Sequence, residues 1–288
     1  MLVFRPMAGC GPALRRTRGD PCMQELTDQE LQGFSRLMAE AAGISLPGSK
    51  KALVGSRLAR RLQAMGCASY AQYLELLRRD AAERQRAVDL LTTNETYFFR
   101  EPGHFAYLAE RIVPAAESSR PLRVWSAACS SGEEPYSIAM LLAERMGSRP
   151  WELVASDIST RVLQQARAGV YPVERAQRIP QPYLKAYCLR GVGEQQGRLA
   201  VQPWLREKVR FECINLNGPW PQLGSFDLIW LRNVMIYFDA PTKRTLVARL
   251  AQALRPGGHL FVGHSESLSG LESDLQSVQP AVYRRLGA

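Results

Sequence analysis

From Thr27 to Thr93 apolar residues recur three and four apart, in LQGFSRLMAEAAGI, SRLARRLQAM, YAQYLELL and RAVDLL, a spacing that predicts consecutive amphipathic helices. Farther along, the pattern changes to compact apolar runs separated by helical stretches. Val124-Trp125, WELVASD (Trp151 to Asp157), VRFECINL (Val209 to Leu216) and FDLIWL (Phe226 to Leu231) read as buried strands, and TKRTLVARLAQAL as a helix. Pro256-Gly257-Gly258 is expected to turn the chain into a further strand. This alternation predicts an α/β fold, a mostly parallel sheet with helices on both faces, preceded by an all-helical domain.

Between Tyr171 and Arg210 the alternation breaks. YCLRGVGEQQGRLAVQ holds two short strands, about Cys188 to Arg190 and Leu199 to Val201, joined by a turn containing Gly191, Gly193 and Gly197. The glycines suit a tight turn, because neither a phosphate-loop lysine nor a following helix accompanies them. An exposed hairpin edge can also accept an extended peptide as an added strand. The expected organisation is a disordered tail over 1–22, a helical domain over 23–91, a linking segment over 92–105 and an α/β domain over 106–288 with a small antiparallel insertion at about 171–210. Met1 and Met23 both stand as candidate starts.

Composition narrows the setting. The six cysteines, Cys10, Cys22, Cys67, Cys129, Cys188 and Cys213, include no C-x-x-C pair and lack a histidine cluster, so neither a metal site nor a disulfide framework is expected. That usage fits a reducing cytoplasm. No run approaches the roughly 18 apolar residues of a membrane span. Ala8-Gly9-Cys10 and Arg15-Arg16 imitate export signals without the hydrophobic region such signals need. The net charge of +10 points to an anionic partner or to an arginine-rich solvated surface, and charge alone does not choose.

Four places carry candidate chemistry. The stretch RVWSAACSSGEEPYSIAMLL (Arg123 to Leu142) reads as strand, small-residue turn and helix, which serves either as a ligand site at a strand's carboxyl end or as a plain structural turn. Asp157, at the tip of the next strand, suits either a ribose diol or the cap of the helix STRVLQQARAG. The segment TTNETYFFREPGHF (Thr92 to Phe105) packs Asn94, Thr96, three aromatics and Arg100 into the junction of the two domains, as site or as core filler; His104 reads as structural. Finally, a helix from Lys50 to Met65, with Ser49 as its expected cap, aligns Lys50, Arg57 and Arg61 in one stripe with Arg60 beside it. Five cations and no acid lie between Pro47 and Cys67, which makes either a solvated face or a docking face for an acidic partner.

Taken together, TNETYFFR, VWSAACSSGEEPYSIA, ASDI, INL, LRNVMIYF and LRPGGHLFVGHSE resemble the CheR family of chemotaxis receptor methyltransferases over nearly the whole chain from about Glu25. The resemblance implies a Rossmann-like methyltransferase sheet with an N-terminal helical domain and a small β-subdomain. It implies methyl transfer from S-adenosylmethionine to receptor glutamates, with S-adenosylhomocysteine as product and no metal. By motif it places the cofactor at Asn94, Thr96, Arg100 and Glu134, with Asp157 on the ribose and Asn215 and Leu216 near the adenine. Arg232 and Asn233 follow at the end of the fourth strand, and Tyr237 lies close to the transferable methyl. Arg100 is a candidate ligand for a carboxylate of either cofactor or substrate, and Phe98, Phe99 and Tyr237 are candidate aromatic surface at the sulfonium.

On the partner side, the resemblance implies that the helix carrying Lys50, Arg57, Arg60 and Arg61 meets receptor helices in the cytoplasm. The hairpin with Gly191 and Gly193 resembles a subdomain that grips a receptor's C-terminal tail in some members. A monomer is expected, without membrane insertion or nucleic acid. Cys129 and Ser131 depart from the family's frequent Ala and Thr, a small-for-small exchange. A nucleic-acid methyltransferase is a rival for a basic chain of this fold, but no N-P-P-Y type block for a flipped base follows LRNVMIYF. A dehydrogenase would need a glycine fingerprint that is absent, and an inactive adaptor would not need Asn94, Arg100, Glu134, Asp157, Asn233 and Tyr237 intact.

Overall fold

The computed structural model describes residues 25–271 and 274–287. The expected tail over 1–22 and the choice between Met1 and Met23 lie outside the described residues. The first helix, α1 (Asp28–Ala42), opens on a reciprocal cap: Thr27 Oγ1 accepts from the Glu30 amide at 3.2 Å and Glu30 Oε2 accepts from the Thr27 amide at 2.9 Å. The helices α2 (Lys51–Ala64), α3 (Tyr70–Arg79) and α4 (Ala81–Leu91) follow. Their apolar stripes meet in one cluster that buries Phe34, Met38, Val54, Leu58, Tyr73 and Leu77. Ser49 is not a cap. It sits inside a 3₁₀ turn, Gly48–Lys50, that follows the extended Pro47, and α2 begins without a side-chain cap.

Next, α5 (Pro102–Tyr107) runs through a π-helical turn at Leu108–Ile112 into α6 (Val113–Ala115). The α/β region continues with β1 (Leu122–Ser126), α7 (Glu133–Arg145), β2 (Trp151–Asp157), α8 (Thr160–Ala168), β3 (Val170–Pro172) and α9 (Gln181–Tyr187). Then come β4 (Cys188–Arg190), β5 (Arg198–Val201), α10 (Pro203–Arg206), β6 (Val209–Cys213), β7 (Phe226–Leu231) and α11 (Ala240–Ala253). The described chain closes with β8 (Leu254–Val262), β9 (Leu275–Gln279) and β10 (Val282–Arg285).

Seven strands form one sheet in the order β6-β2-β1-β7-β8-β10-β9, parallel from β6 through β8, with β10 antiparallel to both of its neighbours. Period-two alternation divides each apolar run between the two faces. Val124, Leu228, Trp230 and Phe261 join α7 on one side, while Trp125, Ile229, Leu231 and Val262 join α11 on the other. Helices on both faces thus explain why FDLIWL carries almost no polar residue.

Three features depart from the expectation. The last two strands were not foreseen. Pro256-Gly257-Gly258 lies within β8, where the pairing with β7 shifts register between Phe226 and Leu228, rather than before the strand. The expected hairpin, β4 and β5, is joined by β3 in a separate three-stranded sheet ordered β3-β5-β4, which leaves β4 at an edge.

Candidate functional site

The parallel strands point their carboxyl ends at the helical domain, and the crevice between them is the candidate site. All ten residues expected at the cofactor and methyl line this one cavity: Asn94, Thr96, Arg100, Glu134, Asp157, Asn215, Leu216, Arg232, Asn233 and Tyr237. The helical domain supplies the opposite wall, including Ile44, Leu46, Lys50 and Leu53. Hydrogen bonds tie the walls together. Asn215 Nδ2 donates to Ala41 O at 2.7 Å, Asn217 Nδ2 to Ala42 O at 2.6 Å, and the Ser45 amide to Tyr237 O at 3.1 Å.

The turn after β1 brings backbone close to the cavity. Gly132, at φ 99°, ends it, and a Cβ there would stand 2.7 Å from Tyr171 Oη and 2.9 Å from Ala166 Cβ, so only glycine fits. Asp157 is buried behind the turn. Its Oδ2 accepts from the Ser130 amide and its Oδ1 from the Ser159 amide, both at 2.9 Å. Burial pushes its carboxyl above the ordinary range, and the amides of Ser159 and Ser130 oppose that shift. Ser159, not Asp157, caps α8. Each Asp157 oxygen keeps a lone pair beyond its one amide, so the group retains capacity for the two hydroxyls of a ribose.

Glu134 lies at the start of α7. Its Oε1 accepts from Ser126 Oγ at 2.7 Å and its Oε2 from Arg232 Nε at 2.8 Å. Arg232, whose side chain is 2% exposed, also donates from Nη1 to Arg100 O at 2.5 Å and stands 3.4 Å from Glu101 Oε2. It is therefore a buried strut between α7, the end of β7 and the linking segment. His104 and His264 face the same Glu101 oxygen at 3.4 and 3.9 Å. Three such groups resemble a metal site, but the Arg232 guanidinium already supplies the cation for that carboxylate. Burial, and then Arg232, drives the His104 pKa down to about 3, so this histidine is neutral and structural.

Backbone strain concentrates here. Among the described residues, five non-glycine residues have positive φ, and Phe99, Glu101, Ser130 and Asn233 are four of them. All four sit in the linking segment, the turn after β1 or the loop after β7, the loops that shape the cavity.

The aromatics of the linking segment separate. Phe98 is fully buried against Tyr171, with ring centroids 5.1 Å apart, and Phe99 stacks on Tyr183 at 5.3 Å. Neither lines the cavity, so the expectation that they flank a sulfonium is corrected; of the three, Tyr237 alone lines the cavity. Tyr97 lies under two guanidinium groups, Arg178 at 4.0 Å and Arg100 at 5.5 Å. Arg100 Nη1 donates to Glu95 O at 3.1 Å.

The basic helix is also redistributed. Arg57 Nη1 donates to Leu91 O at 3.1 Å and Thr92 O at 3.0 Å, satisfying carbonyls at the end of α4. Arg61 forms a two-pronged ion pair with Glu83, whose side chain is 1% exposed. Lys50 and Arg60 are exposed and have no ion-pair partner among the described residues. Gly191 and Gly193 lie in the turn that leaves β4, with Leu189 and Val192 exposed beside them.

Sequence reasoning passed over Glu266, which is buried and accepts from the amides of Asn233, Val234 and Gly263 at 2.7 to 2.9 Å. Its sequence signal is its place at the end of the LRPGGHLFVGHSE block, shortly after the last parallel strand, to which the motif reading assigned no role. Among the described residues, no helix is long and apolar enough to cross a membrane.

Comparison with known proteins gives this geometry a family. Residues 29–92 match the family model of the CheR methyltransferase all-alpha domain, and residues 94–284 match that of the CheR methyltransferase SAM binding domain. A curated relative from Pseudomonas aeruginosa, chemotaxis protein methyltransferase 2, is 46% identical over 260 residues, covering 89% of this chain and 93% of the relative. The chemotaxis protein methyltransferase of Escherichia coli K12 is 43% identical over 252 residues, covering 86% and 87%. That of Klebsiella aerogenes is 42% identical over 265 residues, covering 90% of each. The cavity lies between the two matched regions, and the chain belongs to the CheR family of chemotaxis protein methyltransferases, with S-adenosylmethionine as the methyl donor.

Proposed function

We propose that the protein transfers methyl from S-adenosylmethionine to the side-chain carboxylate of glutamates on chemoreceptors, leaving a methyl ester and S-adenosylhomocysteine. The observation that carries this reading is the pairing of groups around the cavity: cations at its lining and no histidine among its lining residues. Its two buried carboxylates are committed elsewhere, Glu134 to Ser126 and Arg232, and Asp157 to backbone amides. An amine or hydroxyl acceptor would need a base; Glu134 and Asp157 are engaged, which leaves the exposed Glu95 as the other carboxylate at the lining. A glutamate, with an ordinary pKa of about 4.3, arrives as an anion and needs none.

Bound in the cavity, the cofactor supplies an activated methyl on a sulfonium. The chain's own residues then bind, orient and exclude water. Asp157 takes the ribose hydroxyls. Glu134, held rigid by Arg232, takes a cationic donor such as the amino group, while Asn94, Thr96 and Asn233 offer neutral hydrogen bonds. Tyr237 presents an aromatic ring to the sulfonium, a cation–π attraction worth roughly 0.5 to 2 kcal/mol. Arg100 and Lys50, lining the same cavity, attract and orient the incoming carboxylate. In-line geometry and a dry site contribute several kcal/mol more.

Docking rests on the exposed cations Lys50 and Arg60 of the helical face, because Arg57 and Arg61 are largely engaged inside their own domain. The edge strand β4, with the turn at Gly191 and Gly193, offers backbone groups to a receptor tail peptide in extended form. The test is turnover of a receptor fragment by Arg100→Ala, alongside calorimetry with S-adenosylhomocysteine. A sharp drop in turnover with the fold retained is expected; wild-type turnover in the folded variant removes Arg100 from the mechanism.

A further inference from the structure

Glu266 joins the loop after β8 to the loop after β7, which lines the cavity. Its Oε2 accepts from the amides of Asn233 and Gly263, both at 2.7 Å, and its Oε1 from the amide of Val234 at 2.9 Å. The residue is 8% exposed and does not itself line the cavity. Three backbone donors on one buried carboxylate form a charge-assisted cluster, stronger than three neutral hydrogen bonds.

The cluster holds a conformation the chain would otherwise avoid. Asn233 sits at φ 58°, in the left-handed region. Gly263 lies directly against it: a Cβ on Gly263 would fall 2.5 Å from Asn233 Nδ2 and 2.9 Å from Glu266 Oε2. Immediately beyond Val234 comes the 3₁₀ turn Met235–Tyr237, anchored by the Tyr237 amide on Val234 O at 3.1 Å. The carboxylate therefore fixes the residue that lines the cavity, Asn233, and the first pivot of the turn that delivers Tyr237.

We propose that Glu266 is a positioning residue for methyl transfer, setting the Asn233–Tyr237 segment in its reactive geometry by clamping the loops after β7 and β8 together. The inference rests on the roles proposed above for Asn233 and Tyr237. Glu266→Gln is the informative change. Its amide oxygen can replace Oε2, but its NH₂ then faces the Val234 N–H, donor against donor.

Two double-variant cycles test it, with thermal unfolding measured throughout. The first combines Glu266→Gln with Tyr237→Ala and reads receptor turnover; the second combines it with Asn233→Ala and reads S-adenosylhomocysteine affinity by calorimetry. A folded Glu266→Gln should lose about tenfold or more, the size of one hydrogen bond to a charged group. Added to either partner variant, it should lose less than about threefold further, because the clamp acts through the segment that partner already spoils. Independent, multiplicative losses in both cycles, or wild-type values in Glu266→Gln, overturn the proposal. Wild-type turnover in Tyr237→Ala removes that tyrosine's role, and the calorimetric cycle then decides Glu266 separately. Should Glu266→Gln fail to fold, Gly263→Ala crowds both Asn233 Nδ2 and Glu266 Oε2, and the same cycles are run with it.

Discussion

Each half of the molecule contains a buried carboxylate braced by arginine. In the helical domain Glu83 is held by Arg61, by Arg86 at 3.2 Å and by Tyr73 Oη at 2.7 Å. In the cavity wall Glu134 is held by Arg232 and Ser126. Both sets are buried, paired and hydrogen-bonded, yet Glu83 faces a closed helical core while Glu134 and Arg232 line the cavity. The second set also sits among the strained residues Phe99, Glu101, Ser130 and Asn233, whereas none of the five positive-φ non-glycine residues lies in the helical domain. A buried ion pair alone does not mark a site. A buried ion pair beside strained loops and an open cavity does.

Substitutions can break or sharpen this contrast. The largest effect expected is that of Arg61→Glu, which places like charge against the buried Glu83. Losing the partner of a buried charge costs about 3 to 5 kcal/mol, so the urea midpoint should fall steeply. Arg232→Met strands the buried Glu134 in the same way and should also lower stability, but unlike Arg61→Glu it should weaken S-adenosylhomocysteine binding by about 10- to 100-fold, since Glu134 at the cavity loses its charged donor. If Arg61→Glu, in conditions where it stays folded, weakened product binding as much as Arg232→Met, the two networks would not be functionally distinct.

Acid separates them next. The Arg61 hydrogen bonds hold the Glu83 carboxyl below its ordinary value of 4.5, against the opposing effect of burial. A depressed pKa contributes stability that is present above about pH 4.5 and is lost as pH falls through the lowered value. Melting temperature followed from pH 6 downward should therefore drop less steeply in Glu83→Gln than in the wild type; equal slopes would remove Glu83 from the acid response. The smallest effect belongs to Arg60→Glu. With no partner to lose among the described residues, it should leave stability and product binding unchanged. Receptor methylation should slow by about two- to fivefold at low salt, with the difference shrinking as salt rises.

The same contrast explains what could be read from the sequence. Strands such as Trp151–Asp157 and Phe226–Leu231 are legible because a short apolar run with no helical period has few other fates. Of the ten residues that converge on the cavity, seven come from motif blocks at strand ends, where an α/β fold gathers its loops, and Asn94, Thr96 and Arg100 come from the segment linking the helical domain to it. Partner choice across helices is not legible. Arg61 and Glu83 lie 22 residues apart, and a helical wheel of α2 displays the cation without the acid on α4 that neutralises it. The strand β9 hides for another reason: at the sheet edge it buries little, and LQSVQ has no apolar face to betray it. Phe98 and Phe99 looked like one aromatic surface with Tyr237, but the turn at Phe99, with φ 53°, sends them into the core. Glu266 stands in the LRPGGHLFVGHSE block, but its partners are backbone amides, so no side-chain pairing announces its role.

The most direct test is to incubate the protein with methyl-labelled S-adenosylmethionine and the purified cytoplasmic fragment of a chemoreceptor, then map the label by mass spectrometry before and after mild base. The account predicts label on glutamate side chains, released by base as an ester must be, and sharply reduced by Arg100→Ala. Label that survives base, or label on nucleic acid with none on the receptor, would contradict it.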